Sequence, residues 1–170
     1  MEKWDILNAA GRPVGKTVVR GRSVLSSGEY HLVVHIWVVS DDGKYLIQRR
    51  SEQKKLMPGE WAATGGAAVS GEDSFTAASR ELKEELGIDS NKETLKFVKR
   101  IKRRNAFVDI WKINTNIEVS MLKLQTNEVA SAKWVDKATL LQMIKEGKFH
   151  DYGKYYWEVV FGEDEKVEIK

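Results

Sequence analysis

GAAVSGEDSFTAASRELKEELGI, residues 66–88, is the most informative stretch of the 170-residue chain. Its second half predicts a helix over residues 73–86, because apolar side chains recur at helical spacing and form one face. Those side chains are Phe75, Ala78, Leu82 and Leu86. Gly87 follows at the position where a glycine commonly ends a helix, since glycine adopts the left-handed conformation without strain.

Three glutamates lie on one side of this predicted helix. At about 100° per residue, Glu81, Glu84 and Glu85 fall within one arc of roughly a third of the helix surface. Like charges at such spacings repel, and the repulsion grows near a core. A divalent cation would remove the conflict, and oxygen ligands of this kind suit Mg²⁺ or Mn²⁺ better than zinc. Helix periodicity alone leaves a solvated charged face as a second interpretation.

The wider stretch resembles the signature of the Nudix hydrolase family. That signature is Gly, five residues, Glu, seven residues, Arg-Glu-aliphatic, any residue, Glu-Glu, any residue, Gly-aliphatic, and residues 66–88 match every defined position. We refer to residues 66–88 as the Nudix box. Members of the family use divalent metal to cleave a nucleoside diphosphate linked to another group. The resemblance implies an α/β (α+β) Nudix fold, with a mixed β-sheet sandwiched between helices.

The resemblance assigns metal binding to the helix carboxylates. Glu81, Glu84 and Glu85 correspond to the family's metal ligands, and Glu81 or Glu84 would also help to activate the attacking water. Glu128 is a further candidate, because it precedes a Trp-Val pair by six residues and many Nudix proteins carry a metal-binding or basic Glu before a similar pair. An exposed loop glutamate is the alternative interpretation of Glu128. The implied cofactor is Mg²⁺ or Mn²⁺.

Four further residues of the box have implied supporting roles. Arg80 corresponds to the residue that orients Glu81 and braces the loop before the helix. Glu72 corresponds to the loop carboxylate that pairs with Arg80 or assists at the metal. The predicted catalytic set is therefore Glu72, Arg80, Glu81 and Glu84. Gly66 and Gly87 are predicted to be structural, one allowing close backbone approach and the other ending the helix.

A second pattern precedes the box. Residues 48–61, QRRSEQKKLMPGEW, resemble a segment of type I isopentenyl-diphosphate isomerases, which share this fold and carry an Arg-Arg pair, a Lys and Pro-Gly-any-Trp. In that family an Arg and a Lys of the segment grip the diphosphate, which implies substrate binding by Arg50 and Lys54 with Arg49 nearby. Trp61 is the best candidate for stacking on a base. A basic solvated loop and a core tryptophan are the alternatives.

The isomerase chemistry itself does not carry over. It needs a catalytic Cys followed by Gly-His soon after the Trp, and the chain contains no cysteine. We therefore expect a hydrolase of the isomerase-like Nudix branch, which hydrolyses a diphosphate bond in a nucleoside diphosphate derivative or nucleotide by metal-activated water. Three alternatives stay open: isomerase-like activity on isoprenoid diphosphates, a non-catalytic nucleotide-binding or regulatory domain, and an RNA 5′-pyrophosphohydrolase.

Strands and helices surround the box without a regular βαβ repeat, which favours an α+β arrangement. Composition and alternation predict strands at 31–39, 44–49, about 94–102, 106–114 and near 130–135. A second helix is predicted at 136–146 and a loop at 51–60. Residues 153–161 fit either a helix or a strand. The length predicts a single domain, 1–170, that begins with a β-hairpin over about 3–20.

The charge balance suits a small phosphorylated substrate. Lys and Arg number 28 against 25 Asp and Glu, a mild excess that does not predict a nucleic-acid partner. For the basic run Lys96–Arg104 we favour a solvated strand face over an RNA contact. No apolar run is long enough to span a membrane and no signal peptide is evident, so we expect a cytoplasmic protein. A homodimer is left open.

Overall fold

The computed structural model describes residues 1–163, and residues 164–170 of the predicted domain lie outside the described residues. The strands are β1 (Lys3–Leu7), β2 (Pro13–Val19), β3 (His31–Val39), β4 (Tyr45–Arg50), β5 (Trp61–Ala62), β6 (Thr64–Ala67), β7 (Leu95–Lys102), β8 (Ala106–Asn114) and β9 (Val129–Val135). The helices are α1 (Ser74–Leu86), α2 (Lys137–Lys145) and α3 (Lys154–Val160), with a short 3₁₀ turn at Val119–Met121.

Within residues 1–163 the strands form one mixed sheet and one separate hairpin. The sheet has the order β5-β4-β3-β8-β7, with β6 also pairing with β3 and β9 also pairing with β4. β3 and β8 run parallel along their whole length, and the other pairs are antiparallel. The central strand β3 has a nearly continuous apolar sequence because helices cover both faces of the sheet. β1 and β2 form the antiparallel hairpin.

Each face of the sheet carries its own apolar cluster. α1 packs on one face through Ala77, Ala78, Leu82 and Leu86, all of which are buried. α2 and α3 cover the other face, where Leu140, Tyr156 and Trp157 join the second cluster. The predicted mixed sheet between helices is therefore confirmed, and the ambiguous segment 153–161 contains α3. Within the described residues no helix is long and apolar enough to cross a membrane.

The short strands β5 and β6 are absent from the sequence prediction. They contain only two and four residues, and β6 includes the pair Gly65-Gly66, which carries no strand propensity. Residues 64–67 are extended because they pair with β3, which is distant in sequence. That pairing requires a glycine at 65, because a Cβ there would meet the Val34 carbonyl oxygen at 2.0 Å.

Candidate active site

Both ends of α1 are fixed by local hydrogen bonds. The side chain of Asp73 caps the first turn by accepting a hydrogen bond from the Thr76 N–H over 2.7 Å. Gly87 ends the helix with a φ of 71°, and its N–H donates to the Lys83 carbonyl. A Cβ at Gly87 would meet the Lys123 Cβ at 2.6 Å, so the loop packs tightly against this cap. The glutamates therefore project from a helix whose ends are held.

Gly66 leaves the space that the Glu81 carboxylate occupies. A Cβ built on Gly66 would lie 2.4 Å from Oε1 of Glu81. Only 13% of the Glu81 side chain is exposed. Burial raises the pKa of Glu81, although the neighbouring Arg80 guanidinium works in the opposite direction. The absence of a side chain at Gly66 is thus what lets a desolvated carboxylate lie against β6.

Arg80 is the hub of an ion-pair network. Its Nε and Nη2 donate to the two oxygens of Glu72 at 2.6 and 3.0 Å, a bidentate contact. Its Nη1 donates to Glu81 Oε1 and Glu84 Oε2, each at 3.1 Å. Burial would raise the pKa of Glu72, but hydrogen bonds from Arg80 and the Val69 N–H outweigh it, so that pKa is lowered. All four residues of the predicted catalytic set therefore lie together.

Glu85 lies deeper than the other box glutamates. It is 5% exposed, and its Oε2 accepts hydrogen bonds from Gln48 Nε2 at 2.8 Å and from the Gly65 N–H at 3.1 Å. Burial raises the pKa of Glu85 to about 8, with a further contribution from the nearby charge of Glu81. Glu84, by contrast, has a 46% exposed side chain.

The donor chemistry of this site fits a divalent cation, although its side chains are arranged around Arg80. Among residues 1–163, no group of three or more His, Asp or Glu side chains is arranged to hold a metal ion. Within the described part of the chain, two buried oxygens near these contacts lack a hydrogen-bond partner: Oε1 of Gln48, whose amide binds Glu85, and Oγ1 of Thr64, the residue before Gly65. Two desolvated carboxylates and unpartnered oxygens suit a hard cation. Such a cation would compete with Arg80 for the carboxylates it now binds.

A cavity of about 510 Å³ gathers several predicted substrate residues. Its lining residues are Arg20, Arg50, Gln53, Lys54, Lys55, Leu56, Asn127 and Glu128. Lys54 and Glu128 form an ion pair across it, and Arg50 Nε donates to the Leu56 carbonyl at 3.0 Å. The charge of Glu128, which lines the cavity, also helps to raise the pKa of Glu85 on α1. The cavity therefore lies close to the box helix.

Arg49 and Trp61 are not among the lining residues of that cavity. The Arg49 guanidinium instead donates to the Gly59 carbonyl and pairs with Glu52. Trp61 packs against the core on the α3 side, and Lys133 Nζ lies 4.5 Å from the centroid of its ring. Its partly buried ring thus already has neighbours within the fold.

Sequence reasoning missed three residues near the site. Gln48, which binds Glu85, is recognisable only as a polar residue in an otherwise buried strand. Lys55 adjoins Lys54 and carries no separate signal. Arg20 lies far from the box in sequence, and no local pattern connects the two; the antiparallel hairpin and its docking bring Arg20 to the cavity.

Much of the basic run Lys96–Arg104 binds its own chain. Arg100 forms a bidentate pair with the buried Asp109, at 2.6 and 2.9 Å. Lys102 Nζ lies 4.9 Å from the centroid of the Tyr30 ring, and Arg103 donates to the Tyr152 carbonyl. Three cations of the run therefore already have partners within the chain.

The carboxylate helix and its Arg80 network have the arrangement that the Nudix box leads one to expect. The NUDIX domain family model matches residues 29–157. The chain therefore belongs to the Nudix family and is a Nudix hydrolase, in the class of pyrophosphohydrolases.

Relatives and solved structures agree with this assignment. An uncharacterized Nudix hydrolase of Listeria innocua is 41% identical over 155 residues, covering 89% of this chain and 90% of its own length. A crystal structure of a Deinococcus radiodurans protein has a TM-score of 0.77 at 23% identity, covering 93% of this chain and 97% of its own, which shows the shared fold. An isopentenyl-diphosphate Delta-isomerase of Paenarthrobacter aurescens is 35% identical over 88 residues, covering 51% of this chain and 47% of its own length.

Proposed function

We propose that the protein catalyses Mg²⁺-dependent hydrolysis of a diphosphate bond in a nucleoside diphosphate derivative or nucleotide, with water as the nucleophile. The observation that carries the proposal is the pair of desolvated carboxylates, Glu81 and Glu85, on a helix beside a cationic cavity. Ionising both desolvated carboxylates is costly, and a bound divalent cation would offset that cost; a diphosphate also needs its charge screened before a nucleophile can approach.

Glu81, Glu84 and Glu85 would hold the cation. When bound, a divalent metal screens phosphate oxygens and lowers the pKa of a bound water. Arg80, anchored by Glu72, would keep Glu81 oriented. These roles follow the box, and all the residues concerned are near one another in the structure.

Arg50 and Lys54 are the proposed substrate-binding residues. Both line the cavity, and both are cations suited to phosphate, Arg through paired hydrogen bonds and Lys as a point charge. Glu128 is proposed as a further metal ligand or as a base. In the structure it pairs with Lys54, so a metal role would require that ion pair to open.

We also propose that the protein belongs to the isomerase-like branch of the family. This proposal concerns descent and substrate binding, not the reaction that is catalysed. The partial match to an isomerase supports it, together with the Arg50 and Lys54 positions. The chain has no cysteine to supply the isomerase's catalytic thiol. Hydrolysis is thus the reaction that these residues support.

The test is turnover of a substrate panel with Mg²⁺, followed as released phosphate with and without an added phosphatase. The panel spans nucleoside di- and triphosphates, nucleotide sugars, CDP-alcohols, dinucleoside polyphosphates and isoprenoid diphosphates. We expect turnover that is abolished by chelator and reduced at least about 100-fold by Glu84→Gln. Glu93→Gln, an exposed glutamate outside the box, is the matched control and should retain activity.

Two results would overturn the proposal. Full activity in chelator would show that the reaction does not need a metal. Full activity of Glu84→Gln would show that Glu84 is not a required metal ligand. Absence of turnover across the panel, with a folded protein, would favour the non-catalytic binding role. Turnover of an added RNA with a 5′-triphosphate, without turnover across the panel, would favour the RNA pyrophosphohydrolase alternative.

A further inference from the structure

The N-terminal hairpin is fastened to the loop of the Nudix box. Asp5 accepts hydrogen bonds from the Ser70 hydroxyl at 2.6 Å and from the Gly71 N–H at 2.9 Å. The Ser70 N–H in turn donates to the Lys3 carbonyl at 2.8 Å. Backbone and side-chain contacts thus tie β1 to the segment that leads into the catalytic helix.

A ring contact holds the same strand against the sheet. The Trp4 indole stacks on the His31 imidazole, with centroids 4.0 Å apart and planes 9° from parallel. Arg20 follows directly after β2 and pairs back to the start of β1. The backbone N–H of Arg20 donates to the Glu2 carbonyl at 3.0 Å, and its side-chain Nη1 donates to Glu2 Oε1 at 3.2 Å. The position of Arg20 is therefore fixed by the docked hairpin.

This docking brings Arg20 to the cavity that holds Arg50 and Lys54. In the described part of the chain, four cations line that cavity, Arg20, Arg50, Lys54 and Lys55, against a single lining carboxylate, Glu128. Among the lining residues within 1–163, Leu56 is the only apolar one and none is aromatic. A nucleobase is usually held by stacking on an aromatic ring, whereas clustered cations bind phosphate.

We propose, building on the proposed function, that Arg20 is a substrate-binding residue and that this cavity selects substrates with a free terminal phosphate. The terminal phosphoryl group of a nucleoside triphosphate or an organic diphosphate would enter the cavity. A substrate whose phosphates are capped at both ends, such as a nucleotide sugar, would leave Arg20 without its ligand.

One observation supports a binding role for Arg20 over a purely structural one. Its side chain is 52% exposed, so the guanidinium can accept a ligand while its backbone stays anchored. Its ion pair with Glu2 is exposed enough to contribute little to stability.

The first experiment compares Arg20→Gln with Arg22→Gln on two kinds of substrate. Arg22 is an exposed neighbour that does not line the cavity and serves as the matched control. For Arg20→Gln we expect kcat/KM on a nucleoside triphosphate to fall about tenfold or more, mainly through KM, because a charged hydrogen bond is lost. Turnover of the nucleotide sugar should change less than about twofold, and Arg22→Gln should match the wild type.

The second experiment uses binding without turnover. Inorganic pyrophosphate is titrated calorimetrically into each protein in EDTA, and we expect Kd to rise about tenfold in Arg20→Gln, with partial rescue in Arg20→Lys. Circular dichroism and the Tm check that the hairpin stays folded. Equal pyrophosphate affinity in the two Gln variants would overturn the proposal.

The two experiments separate this proposal from the proposed function. If the wild type hydrolyses nothing, the hydrolase assignment fails, yet pyrophosphate binding still decides the role of Arg20. If the wild type is active and Arg20→Gln equals Arg22→Gln on the triphosphate, the role of Arg20 fails alone. An equal loss on both substrates would overturn the selection for a terminal phosphate.

Discussion

Gln48 on β4 donates a 2.8 Å hydrogen bond from Nε2 to Oε2 of Glu85 on α1, and both side chains are buried. This contact joins the sheet to the box helix α1 at the deepest box carboxylate. The Gln48 amide also donates to the Ala63 carbonyl at 3.2 Å, so its orientation is fixed from two sides. Glu85 is thereby held in position at the expense of stability, since burial disfavours its charge.

Replacing Glu85 by Gln should stabilise the metal-free protein while it removes activity. The amide oxygen can still accept the hydrogen bonds of Gln48 and Gly65, but the buried charge is gone. In EDTA at about pH 9, urea unfolding should show a gain of about 1–2 kcal/mol. Glu84→Gln, at the exposed position, should change stability by less than about 0.5 kcal/mol. A less stable Glu85→Gln protein would contradict this interpretation of the burial.

Two adjacent glycines should respond differently to alanine. At Gly66 the added Cβ meets a flexible carboxylate, so Gly66→Ala should fold but lose activity because Glu81 is displaced. At Gly65 the Cβ meets the Val34 carbonyl, which the sheet holds fixed, so Gly65→Ala should lose several kcal/mol of stability, about 3 or more. Thermal unfolding and activity of both variants check this. Equal stabilities would show that the backbone at β6 can move.

Tyr156 should contribute to stability through its hydroxyl. That oxygen accepts a hydrogen bond from Trp37 Nε1 at 2.9 Å and lies 2.7 Å from His35 Nδ1. Tyr156→Phe leaves two buried polar atoms without a partner, and unfolding free energy should fall by about 2–4 kcal/mol. The half-exposed neighbour provides the control, because Tyr155→Phe should stay within about 0.5 kcal/mol. Similar losses in both would argue against the buried network.

Acid should weaken the fold through His35. Burial lowers the pKa of His35 from 6.5 to about 3, helped by the charges of Arg103 and His150. The unfolded chain binds a proton below its higher pKa and the folded chain does not, so the unfolding free energy falls as pH drops from 6.5 towards 3. Burial also lowers the pKa of His31, to about 4, which adds to this slope.

The His35 contribution can be isolated by comparison. Between about pH 4.5 and 6, His35→Gln should reduce the slope of unfolding free energy against pH by up to about 1.4 kcal/mol per unit relative to wild type. The raised pKa values of Glu81 and Glu85 act in the opposite direction in both proteins and cancel in the difference. Urea denaturation at several pH values gives both slopes. Coincident slopes would mean that folding does not lower the pKa of His35.

The sequence by itself determined the box helix and the placement of its glutamates. Helical periodicity is local, so the shared face of Glu81, Glu84 and Glu85 follows from their spacing alone. The cap at Gly87 is local for the same reason. The strands 31–39 and 106–114 were also predictable, because helices on both faces require continuous apolar runs.

Only the tertiary structure decided which cations reach the cavity. Arg49 and Arg50 are neighbours in sequence, yet Arg50 lines the cavity, whereas the Arg49 guanidinium donates to the Gly59 carbonyl and pairs with Glu52. Arg20 arrives through a hairpin whose docking depends on Asp5 meeting the box loop. Such contacts join residues far apart in sequence, so no local pattern encodes them. The spacing in the sequence thus set the positions of the carboxylates on the helix. Long-range packing set which cations lie near them.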